Sequence, residues 1–354
     1  AEDALVGADA GGAPFAARIG ANESVFGPSP AAIAAMRQAA AECWMYCDPE
    51  NHDLKTALAR AHGVPFDCVV VGEGIDSLFG YTVRMFVEPG DTVVSSLGAY
   101  PTFNFHVAGY GARLVTTPYV DDREDPASLI AAIRRERPKL AYFANPDNPM
   151  GSWWSADAVQ ALIDAVPDET VLVLDEAYIE FAPPGLAPPL DVSRPNVIRY
   201  RTFSKAYGMA GARVAYAIAE RGVAKAFDKI RNHFSVNRIA QAGALAALAD
   251  QAWLASVVER VGRARERIGA IARANGLTPL PSATNFVAID CGRDGAFAKR
   301  VLDGLIARGV FVRMPGVAPL NRCIRVSAGT DADLDAFAGA LPGALADALR
   351  NADA

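Results

Sequence analysis

The sequence predicts an α/β protein: a large domain with a mostly parallel seven-stranded sheet between helices, followed by a smaller α+β domain. Three observations lead there. From about residue 68 to about residue 220, short β-rich runs alternate with longer helical stretches. Most of those runs are apolar on both faces, the pattern of strands covered by helices on either side. Beyond residue 222 the pattern changes to a long Ala- and Arg-rich helical region and then short strands with helices between them.

The elements follow in order. The opening residues, AEDALVGADAGGAPFAAR, are small and acidic, with neither the basic start nor the apolar centre of a signal peptide, and are expected to form an arm. The strands are expected at Cys68–Val71, Thr92–Ser96, Arg113–Thr117, Leu140–Asn145, Val171–Asp175, Val197–Phe203 and Arg213–Ala219. Pro126–Arg137 and Ser155–Val166 carry helical periodicity between them. Gly222–Asn275 contains no proline and is expected to join the domains through a long helix. Asn285–Asp290, Val310–Arg313 and Ile324–Ser327 complete the smaller domain. The expected division is 1–40 for the arm and part of the small domain, 41–245 for the large domain and 246–354 for the small one.

Composition narrows the function classes. A net charge of −6 with scattered arginines offers no footprint for nucleic acid. No apolar run reaches the length of a membrane span, so no membrane partner is expected. The five cysteines are odd in number and show no CxxC spacing, which points to reduced thiols, a cytoplasmic enzyme and no metal. His52, His62, His106 and His233 share no metal-ligand spacing.

Four segments carry chemistry. Lys205, in RTFSKAYGMAGAR, ends a strand beside hydroxyl residues, with Arg213 eight positions on. That arrangement suits a Schiff base with an aldehyde cofactor whose phosphate the neighbours hold. VLVLDEAY places Asp175 at the carboxyl end of an apolar strand, where open α/β sheets bind ligands. A carboxylate there needs a cation, and a protonated pyridine nitrogen is one; an exposed acid or a helix cap is the plain alternative. NPDNPMG forms a tight loop after another strand and offers Asn148 as a donor to a phenolate-type oxygen. VVVGEGIDSLF reads as strand, glycine turn and helix start, so the amides of Gly74, Ile75 and Asp76 would cradle a phosphate. Arg313 and Arg325 stand in otherwise apolar strands, where each serves either an anion or a structural ion pair.

The order of glycine-rich turn, NPxNPxG, DEAY and SKxxxxAGxR resembles the fold-type I pyridoxal-phosphate aminotransferases, in particular the histidinol-phosphate aminotransferase group. The resemblance runs from ANESVFGPSP to CIRVSAGT. It implies the PLP-dependent transferase fold, pyridoxal 5'-phosphate as cofactor and a homodimer with shared active sites. By resemblance, Lys205 is the Schiff-base lysine and Asp175 the partner of the pyridine nitrogen. Asn148 and Tyr178 match the groups that hydrogen-bond the cofactor's phenolic oxygen. Thr202, Ser204 and Arg213, with the amides of Ile75 and Asp76, match the phosphate ligands, and Phe103 the aromatic residue stacked on the ring. Tyr46 matches a tyrosine that reaches the neighbouring subunit's cofactor phosphate. Asn22 and Arg325 match contacts to the donor's carboxylate, and Arg313 a second substrate-anion contact. The chain departs from the family pattern at Val25, Ser77, Cys47 and Met150, where proline, an acid, proline and threonine are usual.

The implied reaction moves an amino group between an amino acid or amino-phosphate, histidinol phosphate-like or aromatic, and a 2-oxo acid such as 2-oxoglutarate. A decarboxylase of the threonine-phosphate decarboxylase type keeps the same lysine and aspartate and is the alternative. A non-catalytic scaffold need not keep Lys205, Asp175, Asn148, Tyr178 and Arg213 together, and GEGID lacks the third glycine of a nicotinamide site.

Overall fold

The computed structural model describes residues 15–350; most of the acidic opening, residues 1–14, lies outside the described residues. Seven strands form the main sheet in the order β2-β8-β7-β6-β5-β3-β4. They are β2 (Val69–Gly72), β3 (Thr92–Ser96), β4 (Arg113–Thr117), β5 (Leu140–Ala144), β6 (Val171–Asp175), β7 (Val197–Thr202) and β8 (Ala215–Ile218). β3, β4, β5, β6 and β7 pair in parallel, whereas β8 runs antiparallel to both β7 and β2. The start of β8 therefore lies at the same end of the sheet as the finish of its neighbours. That reversal delivers Arg213 to the carboxyl ends.

Side chains alternate across the sheet with period two. Leu140, Tyr142, Val171 and Val173 face one apolar cluster, while Ala141, Phe143, Leu172 and Leu174 face another. Asp175 continues the first set, which puts its carboxylate over Tyr142. Phe79, Phe103, Tyr142 and Tyr200 pack there as an aromatic cluster with centroids 4.9–5.8 Å apart. Each such pair contributes about 0.5–1.5 kcal/mol beyond area burial and makes a stiff floor for the sheet's carboxyl end.

Helices begin where the sequence supplies caps. Ser29, Asp125 and Ser155 each accept an amide from the first turn, and Pro30 and Pro126 occupy first helical positions. The expected long helix over Gly222–Asn275 is instead three helices, Arg221–Phe227, Arg238–Ala249 and Gln251–Ala274. Asn237 caps the second through the Ala240 amide and Asp250 caps the third through the Trp253 amide. Local side-chain caps thus interrupt a run that periodicity alone reads as continuous.

The remaining strands are short. β1 (Ala17–Arg18) pairs in parallel with β11 (Val310–Phe311). β9 (Thr278–Pro279), β10 (Phe286–Asp290) and β12 (Cys323–Ser327) form an antiparallel sheet in the order β12-β10-β9. Among the described residues, no helix is long and apolar enough to cross a membrane.

Candidate active site

A cavity of about 200 Å³ opens at the carboxyl ends of β2, β5, β6 and β7. Ile75, Asp76, Asn148, Asp175, Tyr178, Thr202, Ser204, Lys205 and Arg213 all line it. Residues more than 100 positions apart meet here because parallel strands end together. A larger hollow of about 400 Å³ lies against the helices Pro30–Ala40 and Arg238–Ala249, but it gathers no lysine and no sheet end. The smaller cavity holds the chemistry.

Asp175 forms the base of the site. It is 6% exposed, accepting Tyr142 O–H at 2.7 Å and the Ala177 amide at 2.9 Å. Burial raises its pKa from 3.8 to about 6; those two hydrogen bonds and Lys205 work against the rise, and Asp76 adds to it. Its direct donors are neutral, so the carboxylate lacks a contact cation. A cationic ring nitrogen entering from the cavity fits that deficit.

Lys205 follows β7, and its Nζ donates to the Asn22 carbonyl at 3.3 Å, 5.5 Å from the centre of the Tyr178 ring. Tyr178 Oη accepts Asn22 Nδ2 at 3.0 Å and its ring stands edge-on to Phe286. Asn22 itself, 2% exposed, is committed to Tyr178 and Ser327, so its carbonyl is the part that faces Lys205.

The anion cradle is built from backbone and hydroxyls. Gly74 caps the helix Ile75–Phe86 with φ +97° and no capping side chain, so the first amides are free to face an anion. A Cβ on Gly74 would lie 2.3 Å from Arg213 Nη2, so the glycine is what lets the guanidinium close over the turn. Thr202 Oγ1 accepts the Ser204 amide at 3.0 Å, setting the two hydroxyl residues on one short bend. Two cations and a row of donors around a carboxylate-floored cavity fit a phosphorylated pyridine aldehyde.

Arg325, in β12, crosses from the smaller sheet to donate to Asn148 Oδ1 at 2.5 Å. Its Nε is buried without a partner, and burial with the neighbouring Arg313 lowers its pKa, while Tyr178 raises it. Arg313 pairs with Arg325 through backbone bonds of 3.2 and 2.6 Å and lies outside the cavity lining.

Among the expected residues, Asn22, Gly74, Arg313 and Arg325 border the site without lining the cavity, and Phe103 and Tyr46 stand elsewhere in this chain. Phe103 is fully buried and stacks on Tyr142 at 4.9 Å, with the main-sheet core around it, so it does not face the cavity. The helix Pro101–Gly109 turns it inward, and Tyr100, just before that helix, lines the cavity instead with its O–H on Asp76 at 3.0 Å. Tyr46 is 80% exposed and packs on Phe234 at 4.8 Å, away from its own chain's cavity. Sequence reasoning also missed Glu23 in the lining and Tyr142 beneath Asp175. Tyr142 gave no signal of its own: its place beneath Asp175 comes from the register of β5 and β6, which pairs Tyr142 with Val173, two residues before Asp175 on the same face.

Comparison with known proteins agrees with this geometry. The family described as aminotransferase class I and II matches residues 17–341. Histidinol-phosphate aminotransferase 1 of Mesorhizobium japonicum is 36% identical over 333 residues, covering 92% of this chain and 89% of the relative. The crystal structure of histidinol-phosphate aminotransferase from Sinorhizobium meliloti in complex with pyridoxal-5'-phosphate superposes with a TM-score of 0.93. It is 58% identical and covers 94% of this chain and 91% of that one. L-threonine-O-3-phosphate decarboxylase from Porphyromonas gingivalis, at 20% identity, TM-score 0.78 and coverage of 92% and 98%, shares the fold alone. With the lysine, the carboxylate and the anion cradle on one sheet edge, the chain belongs to the aminotransferase class I and II family.

Proposed function

We propose that this chain is a pyridoxal 5'-phosphate-dependent aminotransferase that moves an amino group between a histidinol phosphate-like or aromatic amino donor and a 2-oxo acid such as 2-oxoglutarate. The observation that carries this reading is Asp175, a buried carboxylate facing Lys205's cavity with neutral hydrogen-bond donors. Bound there, the cofactor supplies an aldehyde that exchanges amino groups and an electron-poor ring that draws charge from the substrate's α-carbon.

The chain's own residues do the rest. Asp175 holds the ring nitrogen's proton in place. Asn148 and Tyr178 hydrogen-bond the ring's phenolic oxygen. Thr202, Ser204, Arg213 and the amides of Ile75 and Asp76 anchor the phosphate, and Tyr100 in place of Phe103 covers the ring. Lys205 Nζ is the covalent attachment point and, once released, the base that takes and returns the proton at the α-carbon. Arg325 orients the donor's anionic group and Arg313 stands as a second anion contact beside it, while Asn22 would join them only by turning its side-chain amide from Tyr178 to the donor.

The active site is completed by a second copy of the chain. Trp44, Tyr46 and Phe234 are 82%, 80% and 51% exposed, a patch of aromatics that a homodimer would cover while Tyr46 reaches the other copy's phosphate. Five free cysteines suit a reducing, cytoplasmic setting. Decarboxylation is the second reaction open to the same residues. Purified protein loaded with pyridoxal phosphate, given histidinol phosphate, phenylalanine or phosphothreonine with 2-oxoglutarate, is expected to form glutamate. Carbon dioxide release without glutamate would refute the assignment.

A further inference from the structure

Two acids outside the cavity lining sit beneath the loop that presents Asn148. Glu124 and Asp147 are each 1% exposed. Glu124 Oε2 accepts Ser96 Oγ at 2.8 Å and its Oε1 accepts the Ala144 amide at 3.2 Å. Asp147 Oδ1 accepts Tyr119 O–H at 2.8 Å and its Oδ2 the Met150 amide at 3.1 Å. All four donors are neutral, and each acid lies within reach of the other's charge. Two ionised acids side by side away from water repel without compensation, whereas a proton on one lets it donate to the other. The groups facing the pair are the Tyr119 and Tyr142 phenols and Arg325, whose charge favours ionised Asp147. Arg123 lies close by, its guanidinium 3.8 Å from the centre of the Trp154 ring while Trp154 Nε1 donates to the Glu124 carbonyl. Burial raises the proton affinity of both acids, Glu124 well above the ordinary carboxylate range.

We propose that Glu124 and Asp147 share one proton and act together as positioning residues for Asn148. The Asp147 amide donates to the Ser152 carbonyl at 2.8 Å, and the Gly151 amide donates back to the Asp147 carbonyl at 3.1 Å. With its carboxylate on the Met150 amide, Asp147 closes the turn from both sides. Asn148 follows it, its Oδ1 taken by Arg325 and its side-chain nitrogen left for the cavity. Loss of the shared proton would set two like charges against each other under this turn. The positioning role rests on the reading of Asn148 as a cofactor contact; the shared proton does not.

Two measurements test the two parts. Stability of the cofactor-free protein is followed from about pH 5 to 9 for wild type and Glu124→Gln, whose amide donates to Asp147 in the proton's place. A proton held more tightly in the folded state makes wild-type stability fall as pH rises past the ordinary carboxylate range. The advantage of Glu124→Gln should therefore grow with pH; parallel curves would overturn the shared proton. Dissociation constants for pyridoxal phosphate are then compared among wild type, Glu124→Gln, Glu124→Leu, Asn148→Ala and the Leu/Ala double variant. Glu124→Gln should stay within about threefold of wild type, while Glu124→Leu and Asn148→Ala each weaken binding about tenfold. The double variant should match Asn148→Ala alone; a product of about 100-fold would mean independent action and remove the positioning role. Should Glu124→Leu fail to fold, a Glu124→Gln constant beyond that threefold range decides against positioning. If wild type binds no pyridoxal phosphate, the cofactor reading and the positioning role fall together, and the pH comparison still decides the proton.

Discussion

Replacing Asp175 by asparagine separates what the cofactor site costs the fold from what it gives the chemistry. The carboxylate's pKa rises from 3.8 to about 6 on burial among neutral donors. A difference of about 2 units corresponds to roughly 3 kcal/mol of folding free energy. The sign follows from the direction of the shift. Below the unfolded value both states are protonated and nothing is lost. As pH climbs from there through the folded value, the cofactor-free protein loses stability, about half of the total by pH 5 and nearly all by pH 8. Asparagine keeps the size of the side chain and can donate to Tyr142 Oη, so Asp175→Asn should stabilise the cofactor-free protein by about 1–3 kcal/mol at pH 8 and by about half that at pH 5. Loaded with cofactor, the same variant should lose at least about 100-fold in kcat, because the ring nitrogen has lost its counter-charge. Urea unfolding at both pH values and steady-state kinetics read the two effects. Equal stability changes at the two pH values, or full activity in the variant, would refute the role given to Asp175.

Four further outcomes follow. Gly74→Ala places a Cβ 2.3 Å from Arg213 Nη2 at φ +97°, so pyridoxal phosphate should bind at least about tenfold more weakly by equilibrium titration. Arg325→Ala should raise KM for anionic substrates about 100-fold, and Arg313→Ala should raise it more for an anionic substrate than for an apolar one; equal effects on both substrates would remove Arg313 from the site. Tyr46→Phe should weaken cofactor binding only in the dimer, which titration alongside sedimentation velocity resolves.

The sheet was legible in the sequence because most of its strands are apolar on both faces, the pattern of strands covered by helices on either side. Asp175, Asn148 and Lys205 were legible because each is a polar residue placed where an apolar strand ends. Arg213 needed the antiparallel turn of β8 to bring it back to that edge. Phe103 misled because an aromatic near a strand end says nothing of its direction; Pro101 starts a helix that turns Phe103 onto Tyr142 and leaves Tyr100 at the cavity. The long helix broke at Asn237 and Asp250 because capping is a local competition that hydrophobic periodicity does not register. Glu124 and Asp147 were hidden for another reason: an acid in a loop reads as solvated until its neighbours in space are known.

Lys205 as the attachment point of the cofactor is open to a direct chemical test. Holoprotein reduced with borohydride, digested and analysed by mass spectrometry should show the pyridoxyl-phosphate mass on the peptide containing Lys205, and Lys205→Ala should show neither that adduct nor visible absorbance. An adduct on another lysine, or an unmodified Lys205 peptide from coloured wild-type protein, would contradict it.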